Sequence, residues 1–271
     1  MSDINPNVRT SPWGQTAGRA SVDVDAGLRA YMLHVYNYMV IGLAVTGLAA
    51  LGIYMLSVTG DASAAAKVLR NGVEVPARIA GNMYLTSIGH TIFVSPVKWV
   101  IMLAPLAMVF GLSYGIMKVR PATAQVLFLV FAALMGLSLG SIFMVYTDAS
   151  IAKVFFITAA TFGAMSLWGY TTKRDLTGMG SFLFMGLIGL VIAMLVNIFL
   201  QSSMLEFAIS AVGVLIFVGL TAYDTQKIKE SYSASHGAEV LAKGAIMGAL
   251  SLYLDFINLF VMLLRLFGNR E

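Results

Sequence analysis

The amino-acid sequence predicts an all-α integral membrane protein with seven transmembrane helices, and three observations carry that expectation. Hydrophobic residues make up 59% of the chain and charged residues only 11%, against roughly 25% charged in an ordinary soluble domain. Mean hydropathy is +0.84. The apolar residues also gather into uninterrupted runs of roughly the 17 to 25 residues that a helix needs to cross hydrocarbon.

Taken in order, residues 1–28 are polar and of mixed charge, which predicts a disordered tail. They lack the short apolar core and small-residue cleavage site of a secretory signal. Six apolar runs follow, at 35–60, 99–117, 122–147, 154–170, 178–200 and 207–223. A seventh, 244–264, contains Asp255, and a central Asp carries a penalty of about 3 kcal/mol on insertion scales. It is retained as a helix that other helices surround. Residues 29–268 therefore form one seven-helix domain, with 269–271 as a short tail. Connections are short apart from a long loop at 61–97, so the helices pack as one bundle. That loop begins DASAAAKVLR (61–70), which predicts a short helix, and it is the natural external cap. Pro105 is the one proline inside a span and predicts a kink there.

The net charge of +4 resides mainly in loops and tails beside the membrane, so it reads as topology and not as nucleic-acid binding. For seven spans, ten of the 17 Lys and Arg fall on the amino-terminal side, which predicts a cytoplasmic N-terminus and an external C-terminus. The absence of cysteine excludes disulfides and thiolate metal sites.

GLSYG (111–115) and GLSLG (136–140) match the G-x-S-x-G pattern of serine hydrolases. A nucleophile elbow requires a strand, a sharp turn and a helix, whereas both segments lie inside apolar helices, so the glycines read as helix-packing positions. His34, His90 and His236 show no shared metal spacing, and Asn37 and Asn197 read as interhelical hydrogen-bonding groups.

The chemistry concentrates in two acids. Asp255 lies twelve residues past Lys243, about 18 Å along a helix, near the bilayer midplane. Intramembrane acids face a bundle interior or a water-filled path. If the last two helices form an antiparallel hairpin centred on Gly237, Asp224 sits level with residue 250, five residues from Asp255, an offset of about 7 Å. Two carboxylates that close in a low dielectric cannot both ionise cheaply, so one shared proton is the expected resting state. Once deprotonated, the pair offers the hard oxygen ligands that Ca²⁺ prefers. Tyr223 and Asn258 flank the acids as supporting residues. The competing structural reading leaves Asp224 at the interface beside Lys227 and Asp255 hydrogen-bonded within the bundle. Arg265, ten residues from Asp255, is about 15 Å away and too far for a direct ion pair.

The segments YMLHVYNYMVIGLAVTG, SPVKWVIMLAPLAMVFGLS, LWGYTTKRDLTGMGSFL, VGLTAYDTQKIK and LYLDFINLFVMLLRLFG together resemble a bacterial member of the Bax inhibitor-1 family, also called the transmembrane Bax inhibitor motif family. The resemblance extends from about residue 29 to residue 268, and YDTQ and LYLDFINLF are its most specific parts. It implies six helices wrapped around a central C-terminal helix. It implies a pH-sensitive Ca²⁺ leak in which the family's two acids correspond to Asp224 and Asp255, which would hold Ca²⁺ only in transit, with no tightly bound cofactor. Some members carry a basic residue in the second helix that helps close the path. No Lys or Arg occurs here between Trp99 and Met117. The bacterial branch is further linked to modulation of a membrane-anchored AAA protease, and the family implies residence in the bacterial inner membrane.

Three functions follow as alternatives: a Ca²⁺ leak channel gated by the aspartate pair, a non-transporting regulator of a membrane-anchored AAA protease or stress response, and an intramembrane aspartyl protease. The last is disfavoured because Asp255 follows LYL, where such proteases place Gly-x-Gly before the second acid. The protein is accordingly expected not to be an enzyme, and its partners are lipid, protons and Ca²⁺.

Overall fold

The computed structural model describes the backbone of residues 12–70 and 73–270, and side chains of residues 26–69 and 73–270. Its helices are α1 (Pro12–Ser57), α2 (Ser87–Phe93), α3 (Val97–Gly115), α4 (Pro121–Leu139), α5 (Asp148–Thr171), α6 (Thr177–Leu200), α7 (Ser203–Ser231) and α8 (Ala238–Phe267). All except α2 are long and apolar enough to cross a membrane; α1 does so over Ala26–Ser57, and 3₁₀ turns extend α3 to Lys118 and α4 to Met144. The protein is an integral membrane bundle of seven spans, and the acid-bearing last run is one of them. The backbone of α1 is already helical at Pro12, where the sequence predicts a disordered tail. A helix nucleated in the span propagates outward at little further cost. Residues 1–11 of that expected tail lie outside the described residues.

Local chemistry sets the helix ends. Thr147 and Ser202 accept hydrogen bonds from the Ser150 and Leu205 N–H groups and so cap α5 and α7, while Pro121 occupies the first turn of α4, where its missing N–H is harmless. Before α6, the Thr177 hydroxyl and N–H hold the exposed Asp175 carboxyl below its usual range. Between α6 and α7 the chain reverses through Gln201, whose φ of +49° is left-handed. Asn197 stabilises this turn by accepting the Ser202 N–H at 3.0 Å. Its role is local and not interhelical, and Asn37 is exposed.

The connection from α1 to α3 is more ordered than the sequence predicts. Strands β1 (Val58–Thr59), β5 (Met83–Leu85) and β4 (Arg78–Ala80) form an antiparallel sheet in that order, and β2 (Lys67–Arg70) pairs with β3 (Val73–Pro76). DASAAAKVLR is therefore not a helix. Asp61 accepts the Ser63 N–H at 2.8 Å and opens a turn, and Lys-Val-Leu-Arg then extends as a strand paired with β3. Helix α2 is seated against the end of α1, where Gly89 lies so near the Ser57 carbonyl that no side chain would fit.

Helix α8 is the most enclosed span, buried along nearly its whole length. Helices α7, α1, α5 and α4 pack on it, whereas α3 rests mainly on α4 and α6 mainly on α7. Tyr253 of α8 is fully buried, edge-on to Phe128 and Phe131 of α4, and its hydroxyl lies 2.6 Å from Thr46 Oγ1 of α1. Thr46 also donates to the Ala132 carbonyl at 2.8 Å, so one hydroxyl pair ties three spans together. The GLSLG glycines serve this packing: a side chain at Gly136 would overlap the Thr46 carbonyl, and one at Gly140 would overlap Ile53. Those of GLSYG do not, since Gly111 and Gly115 face open space.

After α8, the tail is clipped to two neighbouring helix starts. Asn269 donates its N–H to Ser150 Oγ at 3.0 Å and accepts from the Thr147 N–H at 3.1 Å. Arg270 pairs with Glu206 at 3.1 Å and lies over the Tyr146 ring; the Tyr146 hydroxyl is the main influence that pushes its pKa up. At the other end of α8, the buried Lys243 donates to the Met117 carbonyl at 3.2 Å and pairs with Glu239 at 2.8 Å.

Two stability outcomes follow. Gly136→Val forces α4 off the α1 backbone and lowers stability by at least about 1–3 kcal/mol, whereas Gly111→Val is near neutral; thermal unfolding of the detergent-solubilised variants separates the two. Tyr253→Phe removes one interhelical hydroxyl contact, and the same measurement registers a loss of about 1 kcal/mol.

Candidate functional site

The YDTQ segment lies near the amino-terminal-side end of α7, and each of its residues faces a different neighbour. Tyr223 packs its ring against Gly180 of α6, with Lys227 Nζ 5.8 Å from the ring centroid. Thr225 is fully buried and lies 3.0 Å from Ser166 Oγ of α5, which in turn is 2.7 Å from the Tyr36 hydroxyl of α1. Gln226 accepts the Leu176 N–H and donates to the Arg174 carbonyl, both at 2.8 Å, and so fastens the α5–α6 turn to α7. Lys229 donates to the Tyr170 carbonyl at 2.8 Å. With its neighbours committed in this way, Asp224 is left to face α8 and α6.

On α8, Asp255 is only 5% exposed. Its flanking residues are structural: Leu252 and Leu259 are fully buried, and Phe256 stacks edge-on with Phe155 and Phe162 of α5. Among the described residues Asp255 forms no ion pair, and its Oδ2 is buried without a hydrogen-bond partner. Asp255 thus has neither the hydrogen-bonded second oxygen nor the charged partner that buried carboxylates ordinarily acquire.

The two acids line one cavity of about 470 Å³ between α6, α7 and α8. Their levels follow from two close contacts, Gly248 with Ile228 and Gly213 with Met262. These place Asp224 level with Ser251 and Leu252, so Asp255 is about one helical turn beyond it, nearer than the expected five-residue offset. Both acids face this cavity, and Lys227 follows Asp224 three residues on along α7. Asn258 joins them on the cavity lining, and its Nδ2 donates to the Leu254 carbonyl at 2.8 Å. Tyr223 does not join them, because its ring is held on α6.

The sequence reading leaves out Ser251 and gives Arg265 no part in the site, yet both line the cavity. The signal was present in the spacing. Residues 251, 255, 258, 262 and 265 recur every three or four positions and share one helix face. Arg265 sits at the carboxy-terminal-side mouth as the cavity's one cationic lining residue, and it forms no ion pair among the described residues. Among the described residues, no group of three or more His, Asp or Glu gathers to hold a metal ion.

A family model described as "Inhibitor of apoptosis-promoting Bax1" matches residues 28–271. The chain is 48% identical over 249 residues to the uncharacterized protein RP147 of Rickettsia prowazekii, an alignment covering 91% of this chain and 92% of that one. It is 45% identical over 274 residues, end to end on both chains, to an uncharacterized protein of Caulobacter vibrioides. It is also 45% identical over 248 residues to the inner membrane protein YbhL of Escherichia coli, covering 91% of this chain and 94% of YbhL. With seven apolar spans in place and matches of this extent, the chain belongs to the Bax inhibitor-1 family of membrane proteins.

Proposed function

We propose that the protein is a pH-sensitive Ca²⁺ leak pathway of the bacterial inner membrane, with Asp224 and Asp255 as its proton-sharing gate and transient ion ligands. The observation that carries this reading is the enclosed Asp255 carboxyl, unpartnered at Oδ2 and opening on the same cavity as Asp224. Burial and mutual repulsion both oppose two charges there, so the pair holds one proton at rest. Loss of that proton frees carboxylate oxygens for a hard cation. A resident Ca²⁺ site takes about 6–8 oxygens, whereas two acids, the Ser251 hydroxyl and Asn258 Oδ1 offer a sparser set, suited to an ion that enters and leaves. The inner-membrane placement draws on the name of the Escherichia coli relative, and the cytoplasmic N-terminus on the excess of Lys and Arg at that side.

Protons and Ca²⁺ compete for the same oxygens, so Ca²⁺ binding and entry rise as pH rises through the loss of the shared proton. In liposomes containing the purified protein, Ca²⁺ entry is expected to increase between about pH 6 and 8. Asp255→Asn should lower entry at the upper end about tenfold and flatten the pH profile, and Asp224→Asn should shift the profile. Entry that is absent, or indifferent to both substitutions, assigns the acids a structural role and leaves modulation of a membrane-anchored AAA protease as the function. Cleavage of a helical substrate that requires both acids would instead mark an aspartyl protease.

Arg265 presents like charge to an arriving cation at the mouth. Arg265→Gln should therefore raise Ca²⁺ entry several-fold without altering the pH profile, in the same flux assay.

A further inference from the structure

A second cavity is larger than the one that holds the acids. A groove of about 1080 Å³ runs between α1 and α5, floored in part by Phe256 of α8 and lined almost wholly by apolar side chains. Its walls extend from Arg29 to Leu48 on α1 and from Phe155 to Tyr170 on α5, about 28 Å and about 22 Å of helix. It therefore traverses most of a hydrocarbon core about 30 Å thick. Gly47 and Gly163 border it with open space where their side chains would be, and the Tyr36–Ser166 hydrogen bond lies on its lining.

One end of the groove is charged. Arg29 lies one turn inside the span that starts at Ala26, is exposed, and forms no ion pair among the described residues. Tyr170, in the last turn of α5, lines the same end. Lys229 donates to its carbonyl and lies 5.7 Å from its ring centroid, with ammonium donors to spare. A guanidinium with no ion pair among the described residues, an ammonium and a phenol ring at the membrane interface, above an apolar trough, match a phosphate head on acyl chains.

We propose that this groove binds an anionic phospholipid of the leaflet at the Arg29 end, with its phosphate at Arg29 and Lys229 and its acyl chains laid between α1 and α5. Acyl chains are thin and conform to the trough, and they restore the dispersion contacts that an unfilled trough forfeits. This proposal is independent of Ca²⁺ conduction.

The test is native mass spectrometry of the full-length protein, delipidated and then titrated with phosphatidylglycerol or phosphatidylcholine. Wild type should retain phosphatidylglycerol at least tenfold better. Arg29→Gln should abolish that preference while leaving chain binding intact. Gly163→Phe, which fills open space and so spares the fold, should weaken both lipids. Equal retention of the two lipids by wild type, or a preference unchanged in Arg29→Gln, overturns the proposal. Because the chain has no cysteine, Gly163→Cys carries a single photocrosslinker in native membranes. Adducts to phospholipid support the lipid site, and adducts to another polypeptide overturn it.

Discussion

In hydrocarbon no water exists to solvate a carboxyl group, so an acid can stay in a transmembrane helix only if protein encloses it or a polar cavity receives it. Asp255 imposes this condition on the whole bundle. The helix that bears it must be withdrawn from lipid, and α8 is the span with the greatest share of its surface covered. Four helices supply that cover directly. Their packing depends on small residues at the contacts, such as Gly136 beneath α1 and Gly169 beneath the Ala222 backbone. The outer helices α3 and α6 need less burial and keep broad apolar faces, with Phe110, Phe182 and Phe199 exposed where lipid would lie.

Helix α7 converts that enclosure into a site. Thr225, Gln226 and Lys229 each satisfy a polar group on α5 or on the α5–α6 turn, so three consecutive elements are joined by hydrogen bonds that lipid cannot compete for. Asp224, beside them in sequence, is thereby aimed at the one cavity that also receives Asp255. The polar residues of YDTQKIK thus divide between fastening helices and facing the cavity, which explains why so hydrophilic a run sits at the end of an apolar span.

The seven spans were legible because each is an apolar run of membrane-crossing length, and α8 was legible despite Asp255 because its other residues suit burial. That Asp224 and Asp255 lie at neighbouring levels was also legible, since a helical hairpin fixes relative levels to within a few residues, and both line one cavity. What sequence could not give was direction around the helix axis. Tyr223 adjoins Asp224 in sequence, yet the two point about 100° apart, and only the packing of its ring on Gly180 decides that it leaves the cavity. Arg265 escaped notice because a test for ion pairing asks about distance and not about a shared face. The strands between α1 and α2 were hidden for another reason: they are two to four residues long, below the length at which period-2 alternation can be distinguished from chance.

The anchorage of α8 bears on how the bundle could move. On one side of the membrane its Lys243 is bound to the Met117 carbonyl after α3, and on the other its trailing residues are stitched to the starts of α5 and α7. A rod fastened at both ends resists sliding along its own axis, which opposes shear of α8. Tilting of the peripheral helices remains, and α3 and α6 are open to it because each rests mainly on one neighbour, α4 and α7 respectively. The acid on α8 then acts as a fixed post, at constant depth in the bilayer, against which the wall carrying Phe184 and Val191 can swing.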